Sequence, residues 1–90
     1  MTATDVKVRI RYLSGVRDAT HTRMEEVKFP CGARLRDVSR WLAQKYNMTV
    51  PSPSVMSTVN GRGWSQTPLA LETELQEGDE IALFPLLSGG

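Results

Sequence analysis

The stretch whose reading decides the fold is Glu77-Gly78-Asp79-Glu80-Ile81-Ala82-Leu83-Phe84-Pro85-Leu86-Leu87-Ser88-Gly89-Gly90. Gly78 can take the positive φ of a tight turn without a Cβ penalty, and the Asp79 carboxylate can accept from nearby backbone, so a strand is expected to begin at Glu80. Successive strand residues face opposite sides, which puts Ile81 and Leu83 on one face and Glu80, Ala82 and Phe84 on the other. With Ile81 and Leu83 toward the core, Phe84 is an apolar ring on the outer face. It reads either as a partner contact or as an isolated exposed aromatic. Pro85 has no N–H and stops the strand from pairing further. The expected division is a folded domain over 1–85 and a flexible tail over 86–90.

Fully extended, the five residues from Leu86 to Gly90 reach roughly 17 Å, enough to carry the end well away from a folded body. Gly89 and Gly90 lack side chains, so this is the thinnest peptide available for threading into another protein. A terminal carboxylate has a reference pKa of about 3.5, which makes it an anion and a poor electrophile at neutral pH. It would need activation, for instance by adenylation, before it could accept a sulfur or an amine. A final Gly-Gly alone arises by chance about once in two hundred sequences, and a frayed end without a role is the ordinary state of a terminus. The context has to carry the case.

Working back along the chain, Val6, Val8, Ile10 and Tyr12 alternate with Lys7, Arg9 and Arg11, a half-buried strand with a basic outer face. Ser14-Gly15 opens a polar stretch to Arg23, readable as a turn or one short helical turn, in which His21 is expected to be a solvated loop residue. Met24 to Phe29 forms a second strand with Val27 and Phe29 inward, ended by Pro30-Cys31-Gly32. From Ala33 the period changes: Leu35, Val38, Leu42 and Tyr46 make one stripe of an amphipathic helix, flanked by Trp41 and stopped near Asn47. Pro51-Ser52-Pro53-Ser54 is a stiff connection to a third strand, Val55 to Val59. Asn60-Gly61 is the strongest hairpin signal, with Trp64 expected to start the return. Two strands, one helix, a hairpin and a last strand make an α+β domain with a mixed sheet and one main helix packed on one face.

Ninety residues at 40% hydrophobic content form one domain with a single modest core. The formal net charge is +1, which gives no reason to propose nucleic acid, but its distribution is uneven. All eleven Lys and Arg lie at or before Arg62 with only five acids, and the five acids after it meet no base. The two halves either neutralise each other in the fold or present surfaces of opposite sign. Cys31, the one cysteine, excludes an internal disulfide and has no partner for a metal site or a nucleophile pair. No phosphate-binding loop, metal-ligand cluster or paired carboxylate with His is present, so no self-contained active site is expected. The polar N-terminus has no signal-peptide core and no run approaches membrane-spanning length, so no membrane association and a cytoplasmic location are expected.

Val59-Asn60-Gly61, then Thr73-Glu74-Leu75-Gln76-Glu77-Gly78-Asp79-Glu80-Ile81-Ala82-Leu83-Phe84-Pro85 and the final Ser88-Gly89-Gly90, resemble the C-terminal half of the MoaD/ThiS-type sulfur carriers. The resemblance is strongest to the small subunits of molybdopterin synthase, and the first half agrees in layout, with Pro30-x-Gly32-Ala33 before a helix carrying Asp37-Val38. It implies a ubiquitin-like β-grasp fold and a carrier cycle. A ubiquitin-activating-like enzyme would use ATP to adenylate Gly90, a sulfur donor would make the thiocarboxylate, and the synthase large subunit, in a heterotetramer, would receive the tail. Gly90 is then the reacting residue, Ser88 and Gly89 thread, Phe84, Pro85, Leu86 and Leu87 contact the partner, and no cofactor is bound by the carrier. The carrier itself is non-catalytic in this reading. Departures from relatives are Leu86 in place of a second Pro, Arg34 in place of a Thr helix cap, and Cys31 in place of an acid. Three other readings stay open: a carrier for thiamine, cysteine or tRNA thiolation, a ubiquitin-like modifier conjugated through Gly90, and a β-grasp binding module with an unused tail.

Overall fold

Alternation in the first strand builds the floor of the core. In the computed structural model, which describes residues 4–50 and 52–85, β1 spans Asp5–Tyr12 and buries Val6, Val8, Ile10 and Tyr12 while its other residues face out. A six-residue helix, α1 (Gly15–Thr20), follows where the sequence suggested a turn or one helical turn. It buries Val16 and Thr20 and ends on His21, which is exposed as expected but takes the left-handed C-cap conformation, its N–H donating to the Arg17 carbonyl at 2.8 Å.

Strand β2 (Met24–Pro30) pairs antiparallel with β1, and helix α2 (Leu35–Tyr46) then crosses the inner face with Leu35, Val38 and Leu42 fully buried. Arg34 has no acceptor with which to cap this helix. The Asp37 carboxylate does the work instead, accepting from the Arg34 N–H at 2.8 Å and placing negative charge at the helix N-terminus. Asn47 closes the other end in the left-handed conformation.

Strand β3 (Val55–Val59) turns through Asn60 and Gly61, both at positive φ, into β4 (Arg62–Gly63). That two-residue turn pairs Val59 with Arg62, so the return is under way before Trp64. Trp64 does not start it: it opens a 3₁₀ turn, Trp64–Gln66, and is 2% exposed. A second 3₁₀ turn, Ala70–Glu72, leads to β5 (Glu80–Pro85).

The sheet order is β2-β1-β5-β3-β4, with β5 parallel to β1 and antiparallel to β3. The last strand is therefore the central one. This mixed five-stranded sheet with one main helix on one face is the α+β, β-grasp arrangement expected from the sequence.

Candidate functional site at the end of the last strand

The turn before β5 is tied down on both sides. Asp79 is buried, and its carboxylate accepts from the Gln76 N–H at 2.8 Å and the Asn60 side-chain amide at 2.9 Å. The Asn60 side-chain oxygen accepts from the Glu80 N–H at 3.0 Å, joining the β3–β4 turn to the start of β5. Toward β1, the Gly78 N–H donates to the Lys7 carbonyl, and the Glu77 carboxylate accepts from the Lys7 N–H. Gly78 holds φ +85°, the geometry for which a glycine was expected.

From that anchor β5 runs with Ile81 and Leu83 fully buried, and Glu80, Ala82 and Phe84 on the outer face. Phe84 is half-buried and outside the core cluster. It sits opposite Met56 in the β3–β5 register, with Ala82 opposite Thr58. On the other flank the Leu13 N–H donates to the Leu83 carbonyl at 3.0 Å. Met56 and Leu13 are 39% and 38% exposed, so Phe84 belongs to a discontinuous apolar patch instead of standing alone. Met56 was missed in the sequence. Alternation along Val55–Val59 turns it outward, but nothing local says which strand β3 joins. Pro85, opposite Val55, ends the described chain, and Leu86, Leu87, Ser88, Gly89 and Gly90 lie outside the described residues.

Charge is partly neutralised at the other end of β5, where its first residue meets β1. Glu80 lies 3.8 Å from Arg9 and 3.3 Å from Arg11, and Arg9 also reaches Glu26 at 3.7 Å. Glu72 meets Arg34 and Arg36 at 3.2 and 3.0 Å. Acids of the C-terminal third thus meet bases of the first half, the first of the two alternatives the charge distribution left open. These pairs are half-exposed and each is worth about 0–1 kcal/mol.

On the inner side, Glu25 joins sheet to helix. One of its oxygens accepts from the Tyr12 and Tyr46 hydroxyls at 2.7 and 2.5 Å, and the other from Lys45 at 3.0 Å. Burial pushes the Glu25 carboxyl upward, but the hydrogen bonds from Tyr46, Tyr12 and Lys45 outweigh it and hold the pKa below the usual glutamate value. Burial, then the hydrogen bond to Glu25 and after it the Glu25 charge, raises both phenols. Tyr12, Tyr46, Trp41 and Phe29 stack edge to face along the helix at centroid distances of 5.7 to 6.2 Å.

A groove of about 500 Å³ lies beside β4, lined by Met56, Trp64 and Leu71 among others, and the buried Trp64 indole N–H has no acceptor among the described residues. Among the described residues no group of three or more His, Cys, Asp or Glu side chains is gathered as a metal site, and no helix is long and apolar enough to cross a membrane. What the geometry offers is a rigid platform for the segment that follows Pro85.

The comparisons agree with that geometry. Over 91% of this chain and 99% of the other, the fold superimposes on a putative molybdopterin converting factor subunit 1 from Pyrococcus furiosus, at TM-score 0.75 and 26% identity. It is similar to the small archaeal modifier protein 1 from Methanosarcina acetivorans, at TM-score 0.76 and 23% identity over 98% of this chain and 100% of that one. It also matches a chain of the complex of subunits 1 and 2 of molybdopterin-converting factor from Helicobacter pylori, at TM-score 0.66 and 20% identity over 94% and 100%. No match was found among curated protein sequences. The model of the ThiS family matches residues 10–90, nearly the whole chain and the Gly-Gly end with it, and the protein belongs to that family, as a ubiquitin-like sulfur carrier of the ThiS/MoaD type.

Proposed function

We propose that this carrier serves molybdopterin assembly through the carboxylate of Gly90. The observation that carries the reading is the position of β5: the strand leading to the Gly-Gly end is central, paired on both flanks, and ends on the outer-face patch of Phe84, Met56 and Leu13. An adenylating enzyme of the ubiquitin-activating type would join the Gly90 carboxylate to the α-phosphate of ATP with release of pyrophosphate. A sulfur donor would then displace AMP to give the thiocarboxylate. Phe84, Pro85, Leu86 and Leu87 contact the partner, and Ser88 and Gly89 thread the end into the synthase large subunit, where catalysis resides. The likeness to one subunit of the two-subunit factor from Helicobacter pylori supports a large-subunit partner. The likeness to a small archaeal modifier supports a second reading, conjugation of Gly90 to lysines of target proteins.

Intact mass of the protein isolated from its own cells separates the two. A species heavier by the difference between a sulfur and an oxygen atom, absent when Gly90 is deleted, is expected. Unmodified protein accompanied by covalent adducts of target size would overturn the carrier reading in favour of the modifier. Adding one residue after Gly90 should abolish sulfur transfer without changing the melting temperature.

A further inference from the structure

A cleft of about 400 Å³ opens on the outer face where β1, the start of β2 and α1 meet. Arg9, Arg11, Arg17 and Arg23 line it, against a single carboxylate, Glu80. Arg9 and Arg11 share that carboxylate at 3.8 and 3.3 Å, Arg9 also pairs with Glu26 at 3.7 Å from outside the lining, and among the described residues Arg17 and Arg23 make no ion pair. Asp18 lies in the adjoining concavity with Arg17, His21 and Arg23 and does not line the cleft itself. The excess positive charge of this hollow therefore lies at Arg17 and Arg23, with Arg9 and Arg11 already facing carboxylates. Between the arginines the wall is apolar: Leu13 and Met24, 38% and 45% exposed, both line it.

We propose that this cleft docks an acidic segment of a partner protein, with carboxylates against the arginines and an aliphatic side chain on Leu13 and Met24. Guanidinium groups present a planar fork that matches a carboxylate in bidentate fashion, so four of them around a concave wall select acidic side chains over neutral ones. Met24 adapts its shape to whatever aliphatic group it meets. The cleft also adjoins the end of β5. Leu13, on its wall, is bonded through its N–H to Leu83, the residue before Phe84. A protein that takes the tail would meet the arginines in the same approach, and their field would raise its on-rate at low salt. Only this last step, that the acidic partner is the one receiving the tail, rests on the carrier reading.

The test is an NMR titration of the ¹⁵N-labelled full chain with acetyl-Asp-Glu-Leu-Glu-Asp-amide, its Asn/Gln counterpart, and inorganic phosphate. The acidic peptide is expected to shift the amides of Arg11, Leu13, Arg17, Arg23 and Met24 and the Nε–H of the four arginines. The neutral peptide should bind at least tenfold more weakly. The double substitution Arg17→Glu, Arg23→Glu should also reduce acidic-peptide affinity at least tenfold while leaving the melting temperature in place. Arg36→Glu, Arg40→Glu, a control on the helix, should leave affinity unchanged. Equal binding of the neutral peptide, shifts centred on the helix arginines, the same shifts with phosphate at equal concentration, or no shifts at all would each overturn the proposal. The titration does not involve Gly90 chemistry, so it can fail with the thiocarboxylate mass present, or succeed without it.

Discussion

Replacing Glu25 by Gln tests how the helix is held to the sheet. The two phenol hydroxyls of Tyr12 and Tyr46 converge on one carboxylate oxygen at 2.7 and 2.5 Å, and Lys45 bonds the other at 3.0 Å. Gln keeps an oxygen for the phenols but presents an amide N–H₂ to the ammonium, and Lys45, on the surface, is free to swing away. A hydrogen bond to a charged acceptor contributes roughly 1.5–3 kcal/mol and a neutral one roughly 0.5–1.5, so weakening two of them costs about 2 kcal/mol. For a domain of this size that is a fall in Tm of about 8–16 °C. The assay is thermal melting by circular dichroism at a series of pH values. Because folding lowers the Glu25 pKa, its contribution is complete above the unfolded value of about 4.3 and is lost as pH falls through the lower folded value. The gap between wild type and variant should therefore be widest near neutral pH and close on acidification. A variant within 2 °C of wild type at pH 7, or a gap unchanged in acid, would refute the assignment.

On the proposed function, Phe84→Ala should lower affinity for the synthase large subunit by about 1–2 kcal/mol, measured by calorimetry. Its melting loss should be smaller, about 0.2–1 kcal/mol for a cross-strand pair with Met56; the reverse order would make Phe84 a core residue. Asp79→Ala removes an acceptor serving the Gln76 N–H and the Asn60 amide, so denaturant unfolding should show a loss of about 2–4 kcal/mol, with the Asn60 side-chain signals shifted. A loss under half of that would mean that the β3–β4 turn does not depend on this bridge.

Elements announced by a local period were legible. The alternation of Val6 to Tyr12, the stripe from Leu35 to Tyr46, and the run Glu80 to Pro85 each fall within a residue or two of the observed bounds. Gly78 and Asp79 gave the start of β5, and alternation from Glu80 put Ile81 and Leu83 on one face, which the structure shows to be the buried one. Features set by distant residues were not legible. Glu25 reads as one of two adjacent acids in β2, and only the sheet and helix together bring Tyr12, Tyr46 and Lys45 around it. The same holds for β5 lying between β1 and β3, for Met56 facing Phe84, and for Arg17 and Arg23 converging with Arg9 and Arg11. The α1 helix was read only as a turn or single helical turn because its six residues carry little period, and its docking through Val16 decides its form. Trp64 went astray because a two-residue Asn60-Gly61 turn starts the return at once, at Arg62, and β4 is over at Gly63 before Trp64 is reached.

The placement of β5 sets a limit on any protein that uses the tail. Leu83 is held to Leu13, and Pro85 lies in register with Val55, so the root of the tail is held at the end of β5, one residue past the outer-face Phe84. Gly90 lies five residues beyond Pro85, and fully extended these reach roughly 17 Å. A partner that contacts Phe84 must then place its reacting centre within that distance of Pro85, or Gly90 cannot arrive. Each residue deleted from Leu86-Leu87 shortens the reach by about 3.3–3.6 Å, so transfer should fall abruptly at a particular deletion instead of declining evenly. Measured by single-turnover sulfur transfer, a series with no such step would mean that docking at Phe84 and chemistry at Gly90 do not happen in one complex.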